Sequence, residues 1–316
     1  MQTTKTLTRP NRSWLWKLRK RAANDWQLYL LVLPAVVYVF LFNYVPMYGV
    51  QIAFKNFSTK RGIWGSPWSE PLLKHFIRFI NYPNFEKIII NTLSITLYSL
   101  ATFPIPIIVA LLMNELDNAK FKKSVQMVSY APHFISTVVV CSMISLFTDR
   151  SAGVINSIIA AFGGTRNDWL SVPSLFADIY VWSGVWQNTG WGTIIYLAAL
   201  SGVSDELHEA ARIDGASRFQ IMMRINLPII SPTIITMLIM RFGQIMSLGF
   251  EKIYLMQNSL NLDASQVIAT YVYEMGVVNG QFSYSSAIGL FNTVINIALL
   301  LIVNQISKRV AQVSLL

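Results

Sequence analysis

Seven side chains that could bind a polar ligand lie within or beside long apolar runs of this chain. They are Tyr180, Trp186, Asn188, Arg241, Gln244, Asn292 and Asn296. Aromatic rings stack on the C–H faces of sugars, while amide groups bind sugar hydroxyls. If the apolar runs cross a membrane, these polar groups are costly against lipid, so they are expected to line a path. The residue types predict binding along a path rather than a chemical reaction.

The spacing of these residues places several of them on common helix faces. Arg241 and Gln244 are three residues apart, and Asn292 and Asn296 are four apart. The guanidinium of Arg241 suits a uronate carboxylate, which it can bind through two parallel hydrogen bonds. Two alternatives stay open at this point. Arg241 could be neutralised by Glu251 or by a helix end, and the amides could simply join helices.

The chain offers no arrangement typical of an enzyme or a metal protein. His75, His133 and His208 are scattered without ligand spacing, and Cys141 has no second cysteine as a partner. The acidic residues lie almost entirely outside the apolar runs, and no nucleophile–base pair stands within them. We therefore expect no catalytic residue and no metal site.

The composition is that of a membrane protein. Hydrophobic residues make up 53% of the chain and charged residues 13%, with a mean hydropathy of +0.46. Six apolar runs have about the ~20 residues needed to cross a bilayer core. These predicted spans are Trp26–Val45, Ile88–Met113, Val125–Phe147, Leu175–Leu200, Ile229–Leu248 and Ala287–Ile306. Polar residues interrupt the fourth. The sequence predicts an all-α integral membrane protein with six transmembrane helices.

The positive charges predict how the spans are oriented. The net charge is +10, but lysine and arginine are concentrated in segment 1–25, in the segments after the second and fourth spans, and in tail 307–316. The long segments 46–87, 149–174 and 250–285 are poorer in them. The positive-inside rule places the concentrated side, with both termini, in the cytoplasm. A nucleic-acid partner is not expected. Segment 26–306 is expected to form one transmembrane domain.

A polar segment between the fourth and fifth spans has the most specific pattern in the chain. Ser204 can cap a helix whose first turn is acidic, and Gly215 permits a left-handed stop before Pro228 opens the next apolar run. The residues that carry the pattern are Glu209, Ala210, Ala211, Arg212, Asp214 and Gly215, followed by Ile225, Leu227 and Pro228. Segment 204–228 resembles the EAA loop (E-A-A-x3-G-x9-I-x-L-P) of permease subunits of binding-protein-dependent ABC importers.

The resemblance extends over nearly the whole chain. Segments 43–54, 62–68, 130–136, 196–200, 249–254 and 270–273 are similar to permeases that import oligosaccharides released from polysaccharides, such as alginate, pectin-fragment and aldouronate importers. Ala269 and Glu274 depart from the pattern, which has an acidic residue before Thr270 and a basic one after Tyr273. The exact ligand is therefore left open, and a permease for small sugars or another solute is the alternative.

This resemblance implies a type I ABC importer permease fold and a defined set of partners. A cytoplasmic coupling helix around Glu209 would sit in a groove of an ATPase subunit, and Gly215 would set the bend that follows. The expected partners are a second, different permease, two ATPase subunits, an extracytoplasmic solute-binding protein, an oligosaccharide and membrane lipid. The chain contains no G-x-x-x-x-G-K sequence. ATP and Mg are therefore expected on the ATPase, with no cofactor in this chain.

Overall fold

The computed structural model describes residues 24–243 and 248–311. These residues form helices joined by short turns, and within them Lys55 and Trp68 make an isolated backbone bridge outside any strand. The helices are α1 (Trp26–Phe54), α2 (Gly62–Gly65), α3 (Lys74–Ile80), α4 (Phe85–Asn114), α5 (Ala119–Phe134), α6 (Thr137–Thr148), α7 (Val154–Ala161), α8 (Phe176–Leu200), α9 (Asp205–Ile213), α10 (Arg218–Phe242), α11 (Phe250–Met256), α12 (Leu262–Ser265), α13 (Ile268–Val278) and α14 (Phe282–Ala311). The prediction of an all-α protein is confirmed.

Helix length and apolar character identify the elements that can cross a membrane. In the described residues, 4 helices qualify, α1, α4, α10 and α14, and the number rises to 5 if the bent pair α5–α6 forms one span. Helix α8 is too polar to qualify by hydropathy, but its 25 residues extend about 37 Å, more than the hydrocarbon core requires. The structure therefore has a helix at each of the six predicted positions, and the count of six spans stays a prediction.

The third predicted span, Val125–Phe147, is wrong as a continuous helix. Helices α5 and α6 meet at an angle of 95° around Ile135 and Ser136. Ser136 begins α6, and its hydroxyl accepts a hydrogen bond from the backbone N–H of Val139. The side chain of Gln187 in α8 donates to the carbonyl of Ile135 at 3.0 Å. This contact from another helix helps to hold the bend.

Two other predicted boundaries also change. Helix α1 continues to Phe54, so the external segment that was expected from Pro46 begins as helix. Helix α10 begins at Arg218 rather than at Pro228, because Ser217 and Gln220 form a reciprocal cap there. Pro228 instead follows a π-helical turn, Met222–Asn226, inside the same helix. Segments 149–174 and 250–285, which were expected to be external loops, contain α7 and α11–α13.

Helix α8 is the central element, and it packs on its neighbours through two small residues. A Cβ atom added to Gly190 would lie 2.0 Å from the carbonyl oxygen of Ser129 in α5. One added to Gly192 would lie 3.2 Å from Pro106 in α4. Both glycines therefore permit close approach of a neighbouring helix. The position of α8 against α4 and α5 follows from these contacts.

Two apolar clusters pack neighbouring helices against α8. One joins α4, α6, α8 and α11 and contains Ile95, Cys141, Leu170, Phe176, Ile253, Met256 and Val267. The other joins α4, α8 and α10 and contains Ile107, Ala110, Leu111, Tyr196, Leu200 and Ile230. A third cluster packs α3, α4, α13 and α14 around Phe79, Tyr271 and Tyr284. Between the first two clusters, α4, α8, α10 and α11 surround a cavity.

Candidate functional site

A cavity of about 570 Å³ lies between helices α4, α8, α10 and α11. Helix α4 is broken at Thr102 and Phe103, between two helical segments, and both residues face the cavity. From α8 the lining includes Tyr180, Gly184, Asn188, Trp191, Gly192 and Ile195, which are spaced three or four residues apart or are adjacent. Met237, Met240 and Arg241 complete the wall from α10, and Lys252 from α11. The cavity combines aromatic rings, an amide and two cations.

The structure brings three of the predicted path residues together in this cavity. Tyr180 and Asn188 lie on the same face of α8, and Arg241 approaches from α10. Arg241 is far from Tyr180 and Asn188 in the sequence, so the fold and not local spacing brings the three residues together. These three residues are placed as a binding path would require.

Three of the other four predicted path residues, Trp186, Asn292 and Asn296, are not among the residues that line it. Trp186 lies on the side of α8 that faces away from the cavity, where its side chain is 49% exposed. Asn292 and Asn296 lie in α14, which does not contribute to the lining. The structure therefore places Trp186 and the two asparagines of α14 outside the cavity of this chain. Gln244 lies outside the described residues.

The alternative in which Glu251 neutralises Arg241 is not found. In the described part of the chain, the ion pairs are Lys87–Asp263 and Arg218–Asp117, and Arg241 forms none with Glu251. Glu251 is exposed beside Phe250 at the start of α11. Arg241 lines the cavity and lies in the last turn of α10, so the alternative in which a helix end offsets its charge stays open.

His133 is a residue that sequence reasoning treated as ordinary. Its Nδ1 lies 3.0 Å from Oδ1 of Asn188, and its ring stacks on Trp191 with centroids 4.6 Å apart and an interplanar angle of 7°. The amide nitrogen of Asn188 donates to the carbonyl of Gly184, so its oxygen is the acceptor for His133. Asn188 is thereby held from both sides, in a fixed orientation toward the cavity.

Lys252 is the second residue that the sequence analysis did not assign to the site. In the sequence it is the only lysine or arginine of segment 250–285. Its Nζ donates to the backbone carbonyl of Tyr180 at 3.0 Å and lies 4.9 Å from the centroid of the Tyr180 ring. Burial lowers the pKa of Lys252 to about 8. Helix α10 ends at Phe242 and α11 begins at Phe250, so the spacing of Arg241 and Lys252 in the sequence did not signal the pair.

The segment that resembles the EAA loop forms helix α9, a turn and the start of α10. The hydroxyl of Ser204 accepts from the backbone N–H of Glu206, Asp205 and Glu206 occupy the first turn, and Gly215 has a φ of 76°. The predicted helix, its cap and its left-handed stop are therefore all present. The cap and the left-handed stop follow from the residues at those positions, Ser204 and Gly215.

Helix α9 exposes most of its surface. Glu209, Ala210, Arg212, Asp214 and Gly215 are exposed and Ala211 is half-buried. Two apolar side chains accompany them, Leu207 at 48% and Ile213 at 86% exposure. An exposed surface that mixes apolar and charged groups is suited to contact with another protein.

Two contacts tie this region to the rest of the helices. His208 Nε2 lies 2.7 Å from Oδ1 of Asn226, which is buried in the π-helical turn of α10. Arg218 at the start of α10 forms an ion pair with Asp117, at 2.8 Å, in the segment between α4 and α5. The exposed helix is thus connected to α10 by a side-chain contact as well as by the turn at Gly215.

A polar cavity among apolar helices and an exposed amphipathic helix outside them define a membrane transport protein. Residues 87–312 match the family described as "Binding-protein-dependent transport system inner membrane component". The chain belongs to this family. It is a transmembrane permease subunit of an ABC importer, a transport component and not an enzyme, and its place is the inner membrane.

Relatives of known name agree with this assignment. Protein LplB of Bacillus subtilis (strain 168) is 43% identical over 95% of this chain and 93% of its own length. The polygalacturonan/rhamnogalacturonan transport system permease protein YteP of the same organism is 42% identical over 89% of this chain and 88% of its own.

Solved structures show the same fold. A chain from the crystal structure of a bacterial ABC transporter involved in the import of the acidic polysaccharide alginate has a TM-score of 0.85 and 36% identity, over 93% of this chain and 99% of that one. A second structure contains a bacterial alginate ABC transporter in complex with an alginate pentasaccharide-bound periplasmic protein. Its TM-score is 0.86 at 35% identity, over 95% and 100% of the two chains.

Proposed function

We propose that this permease moves oligosaccharides, acidic ones among them, across the membrane by alternating access. The observation that carries the proposal is the cavity between α4, α8, α10 and α11. Tyr180 and Trp191 offer ring faces, Asn188 a fixed amide, and Arg241 a cation that suits a uronate carboxylate. Relatives named for polygalacturonan/rhamnogalacturonan and for alginate support the same class of substrate.

Helix α9 is the proposed coupling element. Its exposed residues Glu209, Ala210, Arg212, Asp214 and Gly215, with half-buried Ala211, would enter a groove of an ATPase subunit. Leu207 and Ile213 would add apolar contact area to the polar contacts of Glu209 and Arg212. ATP and Mg would be bound by that ATPase. Closure of the ATPase dimer would then pull α9 and, through it, α10.

The remaining partners follow from the type of importer. A second, different permease and two ATPase subunits would complete the membrane complex, and a solute-binding protein would deliver the oligosaccharide from outside. The complex of a related transporter with a sugar-bound periplasmic protein supports that delivery route. Segment 1–25 and tail 307–316 would lie in the cytoplasm, on either side of transmembrane domain 26–306, as the distribution of cations favours.

Transport by the reconstituted complex tests the proposed path. Asn188→Ala and Arg241→Gln are expected to reduce oligosaccharide uptake several-fold, since each removes a group that faces the cavity. Thr293→Ala is the matched control, because Thr293 is an exposed residue of α14 that bonds only to the Gly289 carbonyl of its own helix. Arg241→Gln should affect a charged sugar more than a neutral one. Uptake unchanged in both cavity variants would contradict the proposed path.

A further inference from the structure

Lys252 is a cation built into the cavity wall. It lies on α11, whose neighbours Ile253 and Met256 are fully buried, so the backbone that carries it is fixed by packing. Its ammonium donates to the carbonyl of Tyr180 and stands over the ring of the same residue. A Cβ added to Gly184, one turn further along α8, would lie 3.4 Å from Nζ, so the missing side chain leaves room for the ammonium.

This ammonium has no carboxylate partner. All 15 acidic residues of the chain lie in the part that the structure describes, and none forms an ion pair with Lys252. Glu251 precedes it in sequence but is exposed, and no acidic residue lines the cavity. A lysine ammonium has three N–H donors, and the structure gives it one hydrogen-bond acceptor, the Tyr180 carbonyl. A partly desolvated charge is therefore left with unused donors at the cavity.

We propose that Lys252, held by Tyr180, forms a subsite for a carboxylate group of an acidic oligosaccharide. This proposal rests on the proposed transport function and adds to it a binding residue from the external segment. An incoming carboxylate would supply both the missing charge and the missing acceptors. A neutral hydroxyl would supply an acceptor without neutralising the ammonium. The subsite therefore discriminates in favour of a uronate over a neutral sugar of the same shape.

Arg241 supplies a second cation to the same cavity from α10. Two cations without an acidic group among the lining residues give the cavity a positive potential, which attracts an anionic sugar. A chain of uronates carries its carboxylates at regular intervals, so more than one can be bound as the chain passes. Lys252 and Arg241 would then hold successive or alternate carboxylates of one substrate.

A purely structural role for Lys252 is the competing explanation. Its contact with the Tyr180 carbonyl joins α11 to α8, and its own carbonyl accepts a long contact from Cys141 in α6 at 3.8 Å. Loss of the side chain could therefore loosen the external end of the helices. Two substitutions separate the roles. Lys252→Met keeps the apolar stem but removes the charge and the donors, while Lys252→Arg keeps both.

The test uses the complete importer in proteoliposomes with its solute-binding protein. The paired probes are a galacturonate oligosaccharide and the fully methyl-esterified oligosaccharide of the same length. For each probe, uptake by a variant is divided by uptake by the unaltered complex, so that the preference of the binding protein cancels. Lys252→Met should reduce uptake of the charged probe at least about tenfold and that of the ester less than about twofold. Lys252→Arg should transport both probes nearly as well as the unaltered complex.

The outcomes separate the subsite from the function on which it rests. If Lys252→Met lowers uptake of both probes equally, and less assembled complex is recovered in detergent, then Lys252 has a structural role and the proposed subsite is contradicted. Unchanged uptake of the charged probe would also overturn it. If the unaltered complex transports the methyl ester but not the charged probe, the proposed carboxylate subsite is contradicted, whereas the proposed import of oligosaccharides is not. If the unaltered complex transports neither probe, and the Thr293→Ala control assembles normally, the proposed function itself is contradicted.

Discussion

The ring nitrogen Nε2 of His208 lies 2.7 Å from the side-chain oxygen of Asn226, and this contact joins α9 to the π-helical turn of α10. The amide oxygen can only accept, so His208 is the donor. Asn226 is 1% exposed, and its amide nitrogen has no hydrogen-bond acceptor among the described residues. An asparagine that is buried and half-satisfied in this way depends strongly on the one partner it has.

We expect His208→Ala to uncouple ATP hydrolysis from transport. The substitution leaves the Asn226 oxygen buried without a donor, which costs roughly 1–3 kcal/mol locally and frees α9 to move without α10. The number of sugars moved per ATP should fall several-fold, while the complex still assembles. His208→Gln can donate to the same oxygen and is expected to restore much of the ratio. An unchanged ratio in His208→Ala would show that the turn at Gly215 alone transmits the motion.

The function of the turn after α9 should depend on whether the residue at position 215 can adopt a positive φ. Gly215 has a φ of 76°, with open space around the position of a Cβ. Gly215→Val is therefore expected to disturb α9 through backbone strain rather than through a clash, and to abolish substrate-stimulated ATP hydrolysis. Gly215→Asn should retain part of the stimulation, because asparagine adopts positive φ more readily. Equal stimulation in Gly215→Val and the unaltered complex would mean that this bend is not needed.

Charge reversal on the exposed face of α9 tests docking directly. Glu209→Lys changes an exposed group that makes no ion pair among the described residues, so the fold should be preserved. We expect weaker recovery of the ATPase with the purified permease, measured as the ATPase-to-permease ratio. Thr293→Ala serves as the control. If Glu209→Lys retains both the ATPase and its stimulation while His208→Ala also has no effect, α9 is not the coupling helix.

The close packing of α8 predicts that alanine substitutions at Gly190 and Gly289 have different effects on stability. A Cβ at Gly190 would lie 2.0 Å from a backbone oxygen of α5, whereas one at Gly289 in α14 meets nothing within 4 Å. Gly190→Ala should force α8 and α5 apart and lower the thermal stability of the purified complex by several degrees, because the oxygen belongs to the backbone. Gly289→Ala should leave stability unchanged or raise it, by up to about 1 kcal/mol of helix propensity. Similar stabilities for the two variants would contradict the packing described here.

The lowered pKa of Lys252 predicts a pH dependence of uptake. Burial brings this pKa to about 8, so the ammonium is largely charged at pH 7 and largely neutral at pH 9. Uptake of the charged probe should therefore fall as the external pH rises through about 8. Cys141 of α6 and Tyr180 of α8 lie next to the group and exposed Glu251 precedes it in the sequence, while Arg241 of α10 lines the same cavity.

Lys252→Arg is the control for this pH profile, because arginine stays charged throughout the range. Its uptake of the charged probe should stay level between pH 7 and pH 9, relative to its uptake of the methyl ester. A fall of the same size in Lys252→Arg would assign the pH effect to another group of the importer. The ratio to the ester removes effects of pH that are common to both probes.

Orientation can be tested by labelling single cysteines in a background without Cys141. Trp64 is 82% exposed in α2, and Lys123 is exposed at the start of α5. With cytoplasmic termini, a cysteine at position 64 should react with an impermeant thiol reagent in intact cells, and one at position 123 should react only after lysis. The reverse pattern would invert the proposed topology.

Local residue choice determined the parts of this protein that depend on near neighbours in sequence. Ser204, the acidic first turn and Gly215 specify where α9 begins and ends. The long apolar runs likewise predicted where membrane helices lie, because the cost of exposing a peptide to lipid acts on each run by itself. The spaced pattern from Glu209 to Pro228 pointed to the family that the comparisons confirm.

The bend between α5 and α6 was decided by contacts from another helix. Val125–Phe147 is largely apolar and was predicted as one span, although Pro132 and Ser136 lie at the break. The hydrogen bond from Gln187 and the close approach at Gly190, both from α8, help to hold the bent form, together with the local cap at Ser136. Neither contact has a signature in the sequence of the bent segment.

The cavity, too, was decided by tertiary structure. Helical periodicity pairs residues three or four apart, so it could place Tyr180 and Asn188 near a common face of α8. Residue type assigned Trp186 and the asparagines of α14 to the same path, although they do not line the cavity. Lys252 and Arg241 line one cavity because the packing of Ile253 and Met256 holds α11 against α8. Burial and charge at such a site depend on which helices pack together, a property of the whole chain that no local pattern contains.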